Sequence, residues 1–182
     1  MKNPENKQGT AVLGGGCSWC LDAIFSRCKG VHDVMAGYAG GDVPKPTYDQ
    51  VSGGRTGHAE VVQIHFDPTV ITFDDLLHIY FTIHNPTTIN RQGNDVGPQY
   101  RSVIFYTSKE QQETAKKVMK EIETAKVYDD PIVTELLPLD QFFPAEDYHQ
   151  HYFDKNPDQA YCQIVIEPKI SKFREKYRQF YK

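Results

Sequence analysis

The most informative stretch of this chain covers residues 10–20 and reads TAVLGGGCSWC. Its apolar start, residues 10–13, predicts a short buried strand, and the three glycines that follow predict a tight turn. Leu21, Ile24 and Phe25 come next at helical spacing. We therefore expect a strand, a glycine turn and a helix, with Cys17 at or near the start of the helix.

Cys17 and Cys20 form a Cys-x-x-Cys pair at this predicted helix start. Backbone N–H groups at a helix N-terminus stabilise an anion, and so lower the pKa of a thiol placed there. The pair could close a disulfide across the first turn, consist of two small buried residues, or form half of a zinc site. A structural zinc site needs a second Cys/His pair at similar spacing, which the sequence lacks. We therefore expect redox chemistry and no metal.

Composition narrows the class of protein further. The 182 residues suggest one domain over 1–182, and 39% hydrophobic with 24% charged residues argues against disorder. No apolar run reaches the roughly 18 residues of a membrane helix. The net charge of −4 lacks the excess of basic residues that is typical of nucleic-acid-binding proteins. The polar N-terminus lacks the apolar core of a secretory signal, so we expect a cytoplasmic protein. We also expect a monomer. Residues 1–9 are expected to be flexible, and residues 169–182 to form a basic C-terminal helix.

The remaining pattern favours an α+β fold, because strands and helices follow each other without steady βαβ alternation. We expect a two-layer sandwich in which helices and long functional loops flank a mixed sheet. Further strands are predicted over 31–36, 60–66, 101–106, 132–137 and 161–166. Helices are predicted over 73–85, 109–125 and 145–153, and long loops over 42–57 and 87–99. Thr72 with Asp75, and Ser108, match the pattern of helix N-caps.

Several polar residues lie at the ends of these elements. Glu60 opens an apolar strand, where a buried carboxyl could keep its proton, although a solvent-facing glutamate fits equally well. Asp95 and Tyr100 lie in a polar loop that is either a connector or part of a site, and Tyr48 lies in the other long loop.

Two histidines in the 145–153 segment need a separate interpretation. His149 and His151 are two residues apart and do not share a helix face, so we expect a capping or surface role and no metal. Tyr148 and Tyr152 are four residues apart, and we expect them to pack.

Taken together, these segments resemble the peptide methionine sulfoxide reductases of the A type, which act on the S epimer of the sulfoxide. The resemblance extends from about residue 10 to about residue 173. Any one stretch could occur by chance, but their shared order is specific. The matching stretches are 15–17 with Trp19, 37–41, 46–48, 56–60, 67–68, 91–95, Gly97, 99–102 and 145–150.

The resemblance implies a role for each matching residue. Cys17 corresponds to the nucleophile, and Glu60 to the acid that protonates the sulfoxide oxygen. Tyr48 and Tyr100 correspond to hydroxyls that hold that oxygen, with Asp95 as a polar partner. The substrate-binding set is Trp19, which packs on the substrate methyl group, with Ser18, Gly57 and His58. No metal or organic cofactor is implied.

The implied reaction gives methionine and a sulfenic acid on Cys17, from protein-bound or free substrate. A second thiol then forms a disulfide, which thioredoxin or a similar dithiol protein reduces. We favour Cys20 as this resolving thiol. Cys162 is the alternative: it resembles the C-terminal resolving cysteine of many relatives, but it starts an apolar predicted strand where a buried inert thiol is expected. Cys28 is expected on a helix face.

Two residues depart from the family pattern. Ser18 occupies a position that is usually Phe, which removes one wall of the methyl pocket. The expected effect is weaker substrate binding, on the order of 1–3 kcal/mol if nothing replaces the wall. Asp22 replaces a glutamate and keeps the charge on a shorter side chain.

Other functions stay open at this point. A general dithiol–disulfide oxidoreductase would use Cys17 and Cys20 but would not need Glu60. A binding module could recognise oxidised methionine without turnover, if Ser18 has degraded the pocket. A metal-binding protein is a more distant alternative.

Overall fold

The computed structural model describes residues 8–182. Of the segment expected to be flexible, residues 1–7 lie outside the described part, and Gly9 already belongs to the first strand. The strands are β1 (Gly9–Gly14), β2 (Val31–Ala39), β3 (Ala59–Phe66), β4 (Arg91–Gln92), β5 (Asp95–Val96), β6 (Val103–Tyr106), β7 (Glu135–Pro138) and β8 (Phe142–Pro144). The α-helices are α1 (Ser18–Phe25), α2 (Tyr48–Ser52), α3 (Phe73–Ile83), α4 (Lys109–Thr124), α5 (Tyr152–Lys155) and α6 (Glu167–Lys176).

Six strands form one sheet in the order β7-β6-β1-β3-β2-β8, and β4 and β5 form a separate hairpin. All neighbours in the large sheet are antiparallel except β6 and β7, which are parallel. β1 and β3 occupy the centre, where Leu13 lies opposite Val62. The expected α+β fold with a mixed sheet is confirmed.

The alternation of side chains along the central strands divides the core between the two faces of the sheet. Ala11 and Leu13 belong to the large cluster that contains the buried faces of α1, α3, α4 and α6. Val12 belongs to a smaller cluster on the opposite face. On β3, Glu60 has the same parity as Val62 and therefore points towards the helical layer.

Local signals located most elements correctly. The capping boxes are present, with Thr72 and Asp75 closing the start of α3, and Ser108 caps α4 as expected. The loop predicted over 42–57 contains α2, which has its own capping box between Thr47 and Gln50. The loop predicted over 87–99 contains the β4–β5 hairpin.

The prediction was wrong in the C-terminal quarter. Residues 145–153 form a 3₁₀ turn (Asp147–His149) and the start of α5 instead of one helix, and β8 was not expected. The predicted strand over 161–166 is a π-helical segment, Cys162–Ile166, that continues into α6. Its buried residues, at 162, 166, 170 and 173, recur with helical spacing once α6 is included. The basic terminal helix ends at Lys176, and a 3₁₀ turn follows.

The connection between β1 and α1 is held from beneath by α3. The Tyr80 hydroxyl donates a hydrogen bond of 2.6 Å to the Gly14 carbonyl. Gly16 has a positive φ of 91°, which glycine adopts freely, and its N–H donates to the Tyr100 carbonyl. These contacts fix where the chain turns and therefore where Cys17 lies.

We predict that Tyr80→Phe lowers the free energy of unfolding by about 1–2 kcal/mol, because a buried carbonyl loses its hydrogen bond. Urea denaturation measures the change. Tyr106→Phe is the control: within residues 8–182 the Tyr106 hydroxyl makes no hydrogen bond, so a loss below about 0.5 kcal/mol is expected. Equal losses in the two variants would contradict the role of the Tyr80 hydroxyl.

Candidate active site

Residues from six parts of the chain converge on one small cavity of about 190 Å³. It lies where α1 begins, beside the first turn of α2, the start of β3 and the β4–β5 hairpin. All five residues expected to act in catalysis line it, together with Trp19 and Tyr161. The lining residues are Cys17, Trp19, Tyr48, Glu60, Asp95, Tyr100 and Tyr161.

Cys17 is the N-cap residue of α1 and is partly exposed. Contrary to the sequence prediction, the pKa of its thiol is raised well above the ordinary value. Burial contributes most and the nearby Glu60 carboxyl adds to it, and together they outweigh the N–H of Trp19, which favours the thiolate. In the absence of substrate, Cys17 therefore holds its proton at neutral pH.

Glu60 is buried, with 4% of its surface exposed. Two donors of Ser18, the backbone N–H and the side-chain hydroxyl, each lie 3.3 Å from Glu60 Oε1. Burial raises the pKa of the Glu60 carboxyl to about 7, and the two hydrogen bonds from Ser18 limit this rise. Glu60 can therefore gain and lose a proton near neutral pH.

Two phenols complete the polar side of the cavity. Burial raises the pKa of both Tyr48 and Tyr100, and Glu60 raises each further, so both hydroxyls stay protonated and can donate. Asp95 accepts a 2.8 Å hydrogen bond from the hydroxyl of Tyr161. A polar oxygen entering the cavity would meet several donors at once.

Trp19 supplies an apolar wall that other side chains hold rigidly. Its indole stacks on Tyr152, with ring centroids 3.5 Å apart and planes 4° from parallel. Its Nε1 donates a 3.1 Å hydrogen bond to Nδ1 of His149. Because Nδ1 is an acceptor and burial lowers the pKa of His149, the neutral ring carries its proton on Nε2.

The structure corrects the interpretation of the 145–153 segment. His149 is buried beneath Trp19, where the sequence suggested a cap or a surface residue, whereas His151 is exposed, as expected, beside Asp22. Tyr152 packs on Trp19 and not on Tyr148, which is 56% exposed.

Three expected substrate-binding residues do not line the cavity. The ring of His58 is held by the 41–43 loop, since Nδ1 accepts from the Gly41 N–H and Nε2 lies 2.7 Å from the Val43 carbonyl. The Gly57 carbonyl accepts a hydrogen bond from Arg101. Ser18 lies behind Glu60, and its 3.3 Å contact to that carboxyl explains why it forms no wall of the cavity.

All four cysteines are free thiols. Cys20 is buried, and its Sγ lies 3.8 Å from the hydroxyl of Tyr161. Cys162 is fully buried in the π-helical segment, not in a strand as expected. Cys28 was expected on a helix face, but it lies beyond the end of α1 in a bridge to Tyr181. It is buried in the core, and burial raises the pKa of its thiol to about 12.

Tyr161 is the lining residue that sequence reasoning missed. It touches both Cys20 and Asp95, and its ring meets Trp19 edge to face. The only signal was its position directly before Cys162, which had attracted attention for its sulfur alone.

A second, wider cavity of about 690 Å³ shares Cys17, Asp95 and Tyr161 with the small one. Its other walls include Ile164, Val165 and Lys169. Within residues 8–182, no three His, Cys, Asp or Glu side chains gather in a way that could hold a metal ion. In the same range, no helix combines the length and apolarity needed to cross a membrane.

A thiol, a protonatable carboxyl and two phenols around one cavity are the functional groups of a thiol-dependent oxidoreductase. Comparison with known proteins specifies the family. Residues 9–181 match the family described as peptide methionine sulfoxide reductase. The peptide methionine sulfoxide reductase MsrA of Polynucleobacter asymbioticus is 54% identical over 168 residues, covering 92% of this chain and 88% of that protein.

Solved structures agree with the sequence match. Mxr1 from Saccharomyces cerevisiae in reduced form superposes with a TM-score of 0.80 at 35% identity, covering 89% of this chain and 92% of that one. Mxr1 in complex with Trx2 gives a TM-score of 0.57 at 25% identity, covering 84% and 89%. The chain belongs to the peptide methionine sulfoxide reductase family, A type, whose members reduce methionine-S-sulfoxide to methionine.

We predict that burying Glu60 makes the protein less stable as pH rises from about 4.5 to about 7. With a folded pKa near 7 and an ordinary value of 4.5, folded Glu60 keeps a proton that the unfolded chain releases across this window. Glu60→Gln has no such proton. Its stability relative to the wild type should therefore rise by about 3 kcal/mol between these pH values and stay constant above them.

Denaturant unfolding across this pH range measures the difference. Glu113→Gln, at an exposed position of α4, is the control and should run parallel to the wild type. A Glu60→Gln curve that also runs parallel to the wild type would contradict the buried, protonated carboxyl.

Proposed function

We propose that the enzyme reduces protein-bound and free methionine-S-sulfoxide by transferring the sulfoxide oxygen to Cys17. The observation that supports this most directly is the shared cavity of Cys17 and Glu60, which places a thiol beside a carboxyl that can gain and lose a proton near neutral pH. A general disulfide reductase would need neither the buried carboxyl nor the two phenols.

The first step needs a thiolate and an acid at the same time. With substrate bound, the proton of Cys17 passes to the Glu60 carboxylate. Glu60, Tyr48 and Tyr100 then donate to the sulfoxide oxygen, which is a poor leaving group until it is protonated. The Asp95–Tyr161 pair closes the same side of the cavity.

Attack of the thiolate on the substrate sulfur moves the oxygen and the proton to Cys17. The products are methionine and a Cys17 sulfenic acid, so the cysteine sulfur is oxidised by two electrons and the substrate sulfur is reduced by two. The rigid face of Trp19 provides an apolar surface for the methyl group of the substrate. Because that face is fixed, it favours one arrangement of the methyl group and the oxygen, and therefore one epimer of the sulfoxide.

Cys20 is the proposed resolving thiol, and Cys162 is the alternative. Cys20 is one helical turn from Cys17, and its thiol can condense with the sulfenic acid to give a disulfide and water. Cys162 is fully buried within the π-helical segment. The proposed electron donor is a thioredoxin-like dithiol protein, supported by the yeast relative crystallised with Trx2. Such recycling suits a reducing compartment such as the cytoplasm.

We predict that the reduced enzyme, without added reductant, forms one methionine per molecule from an S-epimer peptide and none from the R epimer. Cys17→Ser should form none. Glu60→Gln should slow this single turnover by at least about 100-fold, because it removes a general acid. Rapid quenching and counting of methionine measures the rates. Methionine from the R epimer, or full activity of Cys17→Ser, would overturn the proposed reaction.

We predict that Cys20→Ser still forms one methionine but stalls when thioredoxin is the only reductant. A small dithiol, which can reduce the sulfenic acid directly, should restore cycling. Cys162→Ser and Cys28→Ser, which also remove buried thiols, should cycle normally with thioredoxin. If Cys20→Ser cycles and Cys162→Ser stalls, the resolving role belongs to Cys162.

A further inference from the structure

Ser18 contacts the acid of the reaction without lining the cavity. It is the first residue of α1, only 5% exposed, and both its hydroxyl and its N–H lie 3.3 Å from the same oxygen of Glu60, Oε1. Within residues 8–182, the other oxygen, Oε2, accepts no hydrogen bond. The two oxygens of Glu60 are therefore in different environments.

We propose that Ser18 is a positioning residue for oxygen transfer, whose hydroxyl holds Glu60 through Oε1 so that Oε2 meets the sulfoxide oxygen. This inference rests on the proposed function of Glu60 as the acid. The backbone N–H of Ser18 alone would leave the carboxyl free to pivot about one hydrogen bond. The second donor, on the same residue, fixes the plane of the carboxyl.

The hydroxyl of Ser18 also affects how readily Glu60 can take a proton from Cys17. The two donors of Ser18 favour the ionised form of Glu60, whereas burial and the negative charge of Asp95 oppose it. The other titratable groups near Glu60 are Cys17, Cys20, Tyr38, Tyr48 and Tyr100. When ionised, each of these adds negative charge and so also opposes the carboxylate. Ser18 therefore keeps Glu60 able to accept the proton of Cys17 near neutral pH.

The consequence can be tested by removing only the hydroxyl. In Ser18→Ala, the pKa of Glu60 should rise by about half to one unit, because the carboxylate loses a donor. The ascending limb of the pH profile for single turnover should move to higher pH by the same amount. The maximal rate should fall by about three- to tenfold, because the carboxyl is less well oriented.

Threonine and valine form a matched pair at this position, since they have nearly the same shape and differ in the hydroxyl. Ser18→Thr should restore the wild-type titration and rate, and Ser18→Val should behave like Ser18→Ala. This pair keeps the test decisive if Ser18→Ala does not fold, and thermal unfolding of each variant verifies folding.

The experiment combines two readouts on the full-length reduced enzyme. Carbon-13 NMR of labelled glutamate carboxyls follows the Glu60 titration, with its signal assigned by its absence in Glu60→Gln. Methionine formed from the S-epimer peptide gives the single-turnover rate from pH 5 to pH 9. The proposal is supported if the alanine and valine variants have a higher Glu60 pKa and a slower rate than the wild type. In the threonine variant, both quantities should return to the wild-type values.

Two outcomes would overturn it. An unchanged Glu60 titration in Ser18→Ala and Ser18→Val shows that the hydroxyl does not act on the carboxyl. A slower rate that threonine fails to restore shows a packing role alone. Failure of the proposed function is recognised separately, because the wild type would then form no methionine while the NMR titration still reports on the contact with Ser18.

Discussion

The geometry of the site depends on one carboxyl that the fold keeps out of water. Glu60 lies on the central strand β3, and the pleat directs it into the helical layer, where it is buried beside the start of α1. An ionised carboxyl in such a place is unfavourable unless hydrogen-bond donors surround it. The first turn of α1 has free N–H groups, as every helix start does, and Ser18 supplies one of them together with its hydroxyl. The start of α1 is thus tied to β3, and Cys17 is carried with it.

This constraint explains why the thiol does not behave as its position in the helix suggests. A helix N-terminus ordinarily lowers the pKa of a cysteine, but here one of its donors is bonded to Glu60, and burial and the nearby Glu60 charge raise the pKa of the thiol. The two acidic groups therefore compete for one source of stabilisation. A thiol is a poor nucleophile, so Cys17 is protected while the cavity is empty. In the proposed reaction a bound sulfoxide would change this balance, because its oxygen would take the proton from Glu60 as the thiolate attacks.

The sequence was informative where local rules decide the structure. The strand, turn and helix around Cys17, the capping box of Thr72 with Asp75, and the amphipathic α4 all follow from short-range patterns. It was misleading where partners are distant along the chain. Trp19 is held by His149, 130 residues away, and Asp95 by Tyr161, 66 residues away. No spacing rule connects such residues. The short apolar run at 161–166 fits strand and helix equally, and only its packing against the core decides.

Ser18 shows why a motif can be matched and its chemistry still misjudged. Compared with the family pattern, Ser18 was expected to leave the methyl pocket without one wall, because the usual side chain at this position is aromatic. In the folded chain, what matters is the group that Ser18 faces, and that group comes from a strand 42 residues later. A hydroxyl 3.3 Å from a buried carboxyl changes which proton states that carboxyl can adopt. A substitution next to Cys17 can therefore act on the neighbouring carboxyl, and leave the shape of the cavity to other residues.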